Sequence, residues 1–209
     1  GQDDVIADSM NEVLRESAAG QTIKTLLGKG SILYELSCLI SDPGSHRQNL
    51  HPDTPHFVGS EAVLYTCFVA LQDVRLDMGP TTWLPGTHSA EAHEAFQDGN
   101  SSSEGGESKK DELIRTAPSV LGLLPKGCCA IFDSRLLHCG TSNKSENDSR
   151  ALFYFSFKGK KVGYPGNPAS IRPEIERTQI TMEDLEEDLA SYSKGKGHPM
   201  IDQIGKSLR

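Results

Sequence analysis

Apolar positions follow two different periods along this chain, and the change comes near residue 30. Over residues 3–27, Val5, Ile6, Met10, Val13, Leu14, Ile23, Leu26 and Leu27 recur at spacings of three and four, the stripe of an amphipathic helix. The small residues Ala18-Ala19-Gly20 interrupt that stripe, which predicts one or two helices laid against a sheet. From Ser31 onward the chain is rich in β-branched and aromatic residues, with Pro and Gly clusters between the apolar runs. Strands are predicted over Ile32–Leu36, within Glu61–Val74, and over Thr82–Leu84, Ser119–Leu124, Cys128–Phe132, Leu136–Cys139 and Arg150–Lys158. Many short strands separated by turn residues suit an antiparallel sandwich or jelly roll.

Three other segments break this texture. Ser89–Phe96 reads as a short helix. Residues 97–112, around Asp-Gly-Asn-Ser-Ser-Ser-Glu-Gly-Gly-Glu, are polar and have little apolar area to offset the entropy of ordering, so a mobile insertion is expected. After Tyr164-Pro165-Gly166 the strand pattern stops, and Thr181–Leu189 reads as a short acidic helix with Thr181 as N-cap and Asp184 three residues on. The predicted organisation is one domain over 1–209: a helical flank at 1–30, a β core at 31–172 and a C-terminal extension at 173–209.

Composition narrows the function classes. With 36% hydrophobic and 24% charged residues, the chain has enough apolar material for a packed interior. A net charge of -8 and a pI near 5.4 argue against a partner that must be held by its phosphate backbone. No apolar run approaches the roughly 20 residues of a membrane-spanning helix. The acidic start Gly1-Gln2-Asp3-Asp4 resembles neither a signal nor a transit peptide. Cys38, Cys67, Cys128, Cys129 and Cys139 are an odd number in a chain that needs no staples, so reduced thiols and a cytoplasmic or other reducing intracellular compartment are expected. Asn100, Asn143 and Asn147 begin short glycosylation patterns that arise freely by chance.

The chemistry concentrates at His51-Pro52-Asp53, in a loop after the first strand. A His and a carboxylate one residue apart on a turn can supply two neighbouring ligands to one metal. Two imidazoles and a carboxylate on one face of an octahedron leave open positions, the arrangement used by oxygen-activating ferrous iron. A third ligand is then required, and His138, at the end of an apolar strand, is the candidate. A short His-x-Asp pair is by itself weak, and a lone strand-end His is more often a hydrogen-bonded core residue.

Several ordered segments together resemble the phytanoyl-CoA dioxygenase family. His51-x-Asp53 is similar to its first ligand pair. Met78-Gly79-Pro80-Thr81-Thr82-Trp83-Leu84-Pro85-Gly86-Thr87-His88 is similar to its Gly-Pro and Pro-Gly-Ser-His segment. Lys126-Gly127, Ile131-Phe132-Asp133 and Leu137-His138 resemble the strands that deliver the distal His, Asn143 and Ser145 match polar positions beyond it, and Arg150-Ala151-Leu152 begins the next strand.

The resemblance implies a double-stranded β-helix holding iron(II) through His51, Asp53 and His138. It implies 2-oxoglutarate as co-substrate, O2 as oxidant, and release of succinate and carbon dioxide as an unactivated C–H bond of a small organic or lipid-like substrate is hydroxylated. Arg150 takes the far carboxylate of the keto acid in this reading, a role that suits a guanidinium fork, with Thr66, Thr81 and Thr141 as further contacts. Twelve residues separate His138 from Arg150 where many relatives have eleven, and Ser149 takes that place. A one-residue loop insertion accounts for the offset. Cys139 and Gly140 stand where relatives often have Gly and Ser, which turns attention to Thr141. His56, His88 and His93 read as loop or pocket-rim residues, Trp83 as either a stacking platform or a core residue, and adjacent Cys128 and Cys129 as pointing to opposite strand faces. Two rivals stay open: a cupin-like metal site needing no keto acid, and an idle jelly roll recruited as a structural or assembly subunit.

Overall fold

The computed structural model describes residues 2–56, 62–98 and 107–192. The helical flank comprises α1 (Gln2–Asn11), a π-helical turn (Glu12–Glu16) and α2 (Ala18–Leu27). The interruption falls at Ser17, not at Ala18-Ala19-Gly20. Ser17 has extended backbone and its hydroxyl accepts from the Ala19 amide, so it caps α2. Gly20 serves close packing instead. A Cβ there would come within 2.0 Å of the Leu14 carbonyl oxygen, so α2 can approach the preceding turn this closely only with glycine.

Among the described residues seven strands follow, in two antiparallel sheets: β1 (Ile32–Ser41), β2 (Leu64–Ala70), β3 (Thr81–Trp83), β4 (Val120–Leu121), β5 (Cys129–Asp133), β6 (His138–Gly140) and β7 (Arg150–Lys158). The larger sheet has the order β1-β7-β2-β5 and the smaller β4-β3-β6. Helices α3 (Ala90–Gln97) and α4 (Lys109–Thr116) lie between β3 and β4, and α5 (Pro173–Thr178) and α6 (Met182–Tyr192) close the described chain.

Strand β2 is buried along almost its whole length because both of its faces are covered. Cys67 and Val69 join Phe155 and Phe157 of β7 in an outer core against Met10, Leu14, Ile23, Met182, Leu185 and Leu189 of the terminal helices. Phe68 and Ala70 join Trp83, Phe132 and Leu152 in a second core between the two sheets. Trp83 is therefore a core residue, with its ring 5.5 Å from Phe132 and 6.3 Å from Phe68. Period-two alternation thus sends odd positions of β2 and β7 toward the helices and even positions inward.

Strand β1 breaks that alternation once. Leu33 pairs with Phe157, yet Glu35 pairs with Ser156, so Tyr34 is an extra residue. This bulge lets both Leu33 and Leu36 reach the outer core while Glu35 turns inward.

The chain segment predicted as a mobile insertion is partly ordered: residues 109–116 form α4. Ser108 caps it, accepting from the Asp111 amide at 3.1 Å, and Lys110 lies 4.6 Å from the Phe96 ring of α3. None of its residues is buried, so no apolar stripe announces it. Residues 99–106, with Asn100, and residues 193–209 lie outside the described residues. The Thr181 cap forms as expected: its hydroxyl accepts from the Asp184 amide at 3.1 Å, and its own amide donates to the Asp184 carboxylate at 3.0 Å.

Candidate metal centre

His51 and His138 are 87 residues apart, and backbone pairing brings them together. The His51 amide donates to the His138 carbonyl at 3.0 Å and the His138 amide donates back at 2.9 Å, an antiparallel bridge that joins the His51 loop to the start of β6. The amides of Asp53 and Thr54 both donate to the Ser134 carbonyl, at 2.8 and 3.1 Å, and the hydroxyls of Thr54 and Ser134 lie 2.6 Å apart. The loop is thereby held from both sides of Asp53.

Each imidazole is oriented by its own Nδ1. That of His51 lies 2.7 Å from the Asn49 carbonyl and that of His138 lies 2.9 Å from the Leu136 carbonyl. Carbonyls only accept, so these contacts assign Nδ1–H to both rings and leave both Nε2 lone pairs free. The Nε2 atoms converge on one Asp53 oxygen, at 3.8 Å from His51 and 3.6 Å from His138, and one donor atom from each residue lies within 4.8 Å of the others. Neighbouring ligands of a first-row metal sit about 3 Å apart, so the set closes on an ion when the donors draw together by up to about 2 Å. Among the described residues this is the one cluster of three or more His, Cys, Asp or Glu donors.

Burial lowers the His138 pKa, against the opposing pull of Asp53, which keeps its imidazole neutral and able to donate an electron pair. Phe132 backs the same ring at 5.0 Å. The donor set of two imidazoles and one carboxylate fits ferrous iron.

The other residues singled out in the sequence divide. Thr66 and Thr81 are buried and line the cavity of about 130 Å³ that also contains the three donors. Arg150 lies on the inner face of β7, the face of Leu152, Tyr154 and Ser156, and is 3% exposed. Ser149, by contrast, turns outward to the Asp42 carboxylate at 2.7 Å. The strand register thus selects Arg150 over Ser149 as the inward group. One Arg150 amino group donates to the Gly79 carbonyl, its buried Nε has no hydrogen-bond partner, and no carboxylate pairs with it among the described residues. Burial lowers its pKa. Gly79 itself is left-handed, and a Cβ on it would meet the Thr141 carbonyl at 2.4 Å, so only glycine places this acceptor here.

Thr141 is turned elsewhere: its hydroxyl donates to the Pro80 carbonyl at 2.8 Å, and it lines a separate surface groove with Arg47, Arg75 and Lys144. His93 is buried with Nε2 at 2.7 Å from the Arg135 carbonyl, its Nδ1 accepts from the His56 amide at 3.3 Å, and neither residue lines the cavity of the three donors. His88 is exposed. Asn143 is 1% exposed and donates to the Ser41 and Asp148 carbonyls at 2.8 and 2.9 Å, an architectural role incompatible with carrying a glycan. Cavity residues that the sequence did not single out are Glu35, Leu39, Gln48, Phe68 and Tyr154. A lone acid inside the apolar run Ile32–Leu36 was the one available signal.

A family profile described as phytanoyl-CoA dioxygenase matches residues 2–152. Among solved structures, the chain is similar to the non-haem alpha-ketoglutarate-dependent epimerase SnoN from nogalamycin biosynthesis, at 19% identity and a TM-score of 0.54, covering 79% of this chain and 71% of that one. It is also similar to AviO1 from Streptomyces viridochromogenes Tue57 (16% identity, TM-score 0.54, 73% of this chain and 62% of that one). EctD from S. alaskensis, solved with bound iron, matches at 15% identity and a TM-score of 0.55, over 76% of this chain and 56% of that one. The chain spans less than two thirds of the latter two proteins. At these identities the structural likeness establishes the double-stranded β-helix, with helices at both ends, and the profile establishes kinship: the chain belongs to the phytanoyl-CoA dioxygenase family of iron- and 2-oxoglutarate-dependent oxygenases.

Proposed function

We propose that His51, Asp53 and His138 are the iron ligands, that Arg150 holds the far carboxylate of 2-oxoglutarate, and that the chain works as one domain over residues 1–209. The reaction is hydroxylation, or another oxidation, of an unactivated C–H bond in a small organic or lipid-like molecule, with succinate and carbon dioxide released. The observation that carries this reading is the convergence of the three donors within 4.8 Å from separate parts of the chain.

When bound, iron and 2-oxoglutarate together supply the oxidising power, drawn from dioxygen and from decarboxylation of the keto acid. The chain's own residues do the positioning. His51 and His138 present Nε2 because the Asn49 and Leu136 carbonyls occupy Nδ1. Asp53 supplies the negative charge, and grouping three donors on one side leaves the opposite side for small molecules. Arg150 offers a buried positive charge without a carboxylate partner among the described residues. Leu39, Phe68 and Tyr154 wall the cavity and limit water around the reacting centre. Thr66 and Thr81 offer hydroxyls in the same cavity. The five cysteines are all unpaired, which suits a reducing compartment. No helix among the described residues is long and apolar enough to cross a membrane.

The test is succinate release from 2-oxoglutarate by purified protein with ferrous iron, without added substrate, beside metal uptake by calorimetry. Wild type is expected to take up one metal ion and form succinate, and His138→Ala to fall below about 1% of that rate. Wild type that takes up no metal and makes no succinate would leave the idle-scaffold reading standing.

A further inference from the structure

We propose that Glu35 is the substrate-anchoring residue of this site and that the substrate is a small molecule bearing a protonated amine. The inference rests on the oxygenase reading and adds the substrate class to it.

Glu35 faces the cavity by construction. Without the extra residue at Tyr34, strand alternation would place positions 33 and 35 on one face, and the carboxylate would enter the outer apolar core. The bulge instead turns it inward, opposite Ser156, into the cavity lined by His51, Asp53 and His138. Bulges beside functional sites commonly re-aim a side chain in this way.

Each oxygen of the carboxylate receives one hydrogen bond. Ser156 donates its hydroxyl to Oε2, and the Asn167 side-chain amide donates to Oε1 at 3.2 Å. The Thr66 hydroxyl lies 3.0 Å from that of Ser156 and steadies it. An ionised carboxylate has about four acceptor positions, so two are left for a ligand. No Lys or Arg among the described residues forms an ion pair with it. Lys158, two positions beyond Ser156 on β7, donates instead to the Gly163 carbonyl at 2.9 Å and lies 5.2 Å from the Tyr34 ring. A buried carboxylate without a cation is costly, and its neighbour Asp53 adds repulsion. A cationic ligand relieves both.

The co-substrate does not fill that place. 2-Oxoglutarate is a dianion, and Glu35 repels it. Arg150, the buried cation proposed for the keto acid, lies six residues from Ser156 along the same face of β7, about 20 Å at strand rise. One strand face therefore carries an anion seat at one end and a cation seat at the other. Tyr154 and Phe68 line the same cavity as Glu35 and give it aromatic walls.

The experiment uses full-length protein loaded with Ni(II), a redox-inert stand-in for iron, and saturated with 2-oxoglutarate. Calorimetry compares hexylamine, hexan-1-ol and hexanoate, which share a chain and differ in the head group. Wild type is expected to bind the amine at least about tenfold more tightly than the alcohol, and hexanoate least. In Glu35→Gln the amine-to-alcohol preference is expected to collapse to within about twofold, and in Glu35→Asp to survive in part. Thermal midpoints of both variants identify any that fail to fold, and Glu35→Asp serves if Glu35→Gln does. Wild type that does not prefer the amine, or Glu35→Gln that keeps the preference, overturns the proposal. The readout needs no turnover, so failure to make succinate counts against the oxygenase reading and leaves this one to be judged by the binding data.

Discussion

The sheet β1-β7-β2-β5 has two faces that share a backbone and differ in nearly everything else. On the outer face Leu33, Leu36, Cys67, Val69, Phe155 and Phe157 are each 7% exposed or less and pack against the terminal helices. On the inner face the same three strands carry Glu35, Thr66, Ser156 and Arg150, all buried and all polar. The outer face follows the rule that apolar area leaves water. The inner face departs from it in places, keeping two buried charges without ionic partners among the described residues beside a cluster of metal donors. Such departures cost stability and mark where a protein keeps its chemistry. One face holds the molecule together, and the other spends part of that stability on a site.

Substitutions sharpen the contrast. Phe155 is fully buried in the outer core, and Phe155→Ala is expected to cost about 3–5 kcal/mol, measured by denaturant unfolding of the metal-free protein. Its inner-face counterpart is Arg150→Ala, expected to weaken 2-oxoglutarate binding by about 100-fold, a consequence of leaving a buried carboxylate unpaired. Calorimetry on Ni(II)-loaded protein reads that loss, and an unchanged affinity would favour a cupin-like site that needs no keto acid.

Glu35 gives an effect that depends on pH. Burial, opposed by the Ser156 hydrogen bond and helped by Asp53, raises its pKa from 4.5 to about 7. The folded state therefore binds this proton more tightly than the unfolded chain. Its contribution to stability is complete below pH 4.5 and is lost as pH rises through about 7. The difference is on the order of 3 kcal/mol. Between pH 4.5 and 7.5 metal-free Glu35→Gln is expected to gain on wild type by roughly that amount, and parallel stability profiles for the two would remove the buried-acid account.

How far the sequence could be read varies with the physical signal. The outer face was legible because its residues alternate or recur with a regular period, and so were the two helical flanks. The Thr181–Asp184 cap was legible because two residue types at fixed spacing satisfy free helix-end amides. Helix α4 was not, since it buries no side chain and is held by Ser108 and by surface contacts. Nor was the role of Glu35, because a one-residue bulge reverses the facing that simple alternation assigns.

By itself, then, the sequence determined the strand-rich core, the helices at its ends, and the donor types at positions 51, 53 and 138, because these rest on local period and residue chemistry. Only the tertiary structure decided that His51 pairs with His138 through their backbones, that Arg150 and not Ser149 faces inward, and that Thr141 turns away to Pro80. Those outcomes depend on strand register, and register is set by packing between segments far apart along the chain.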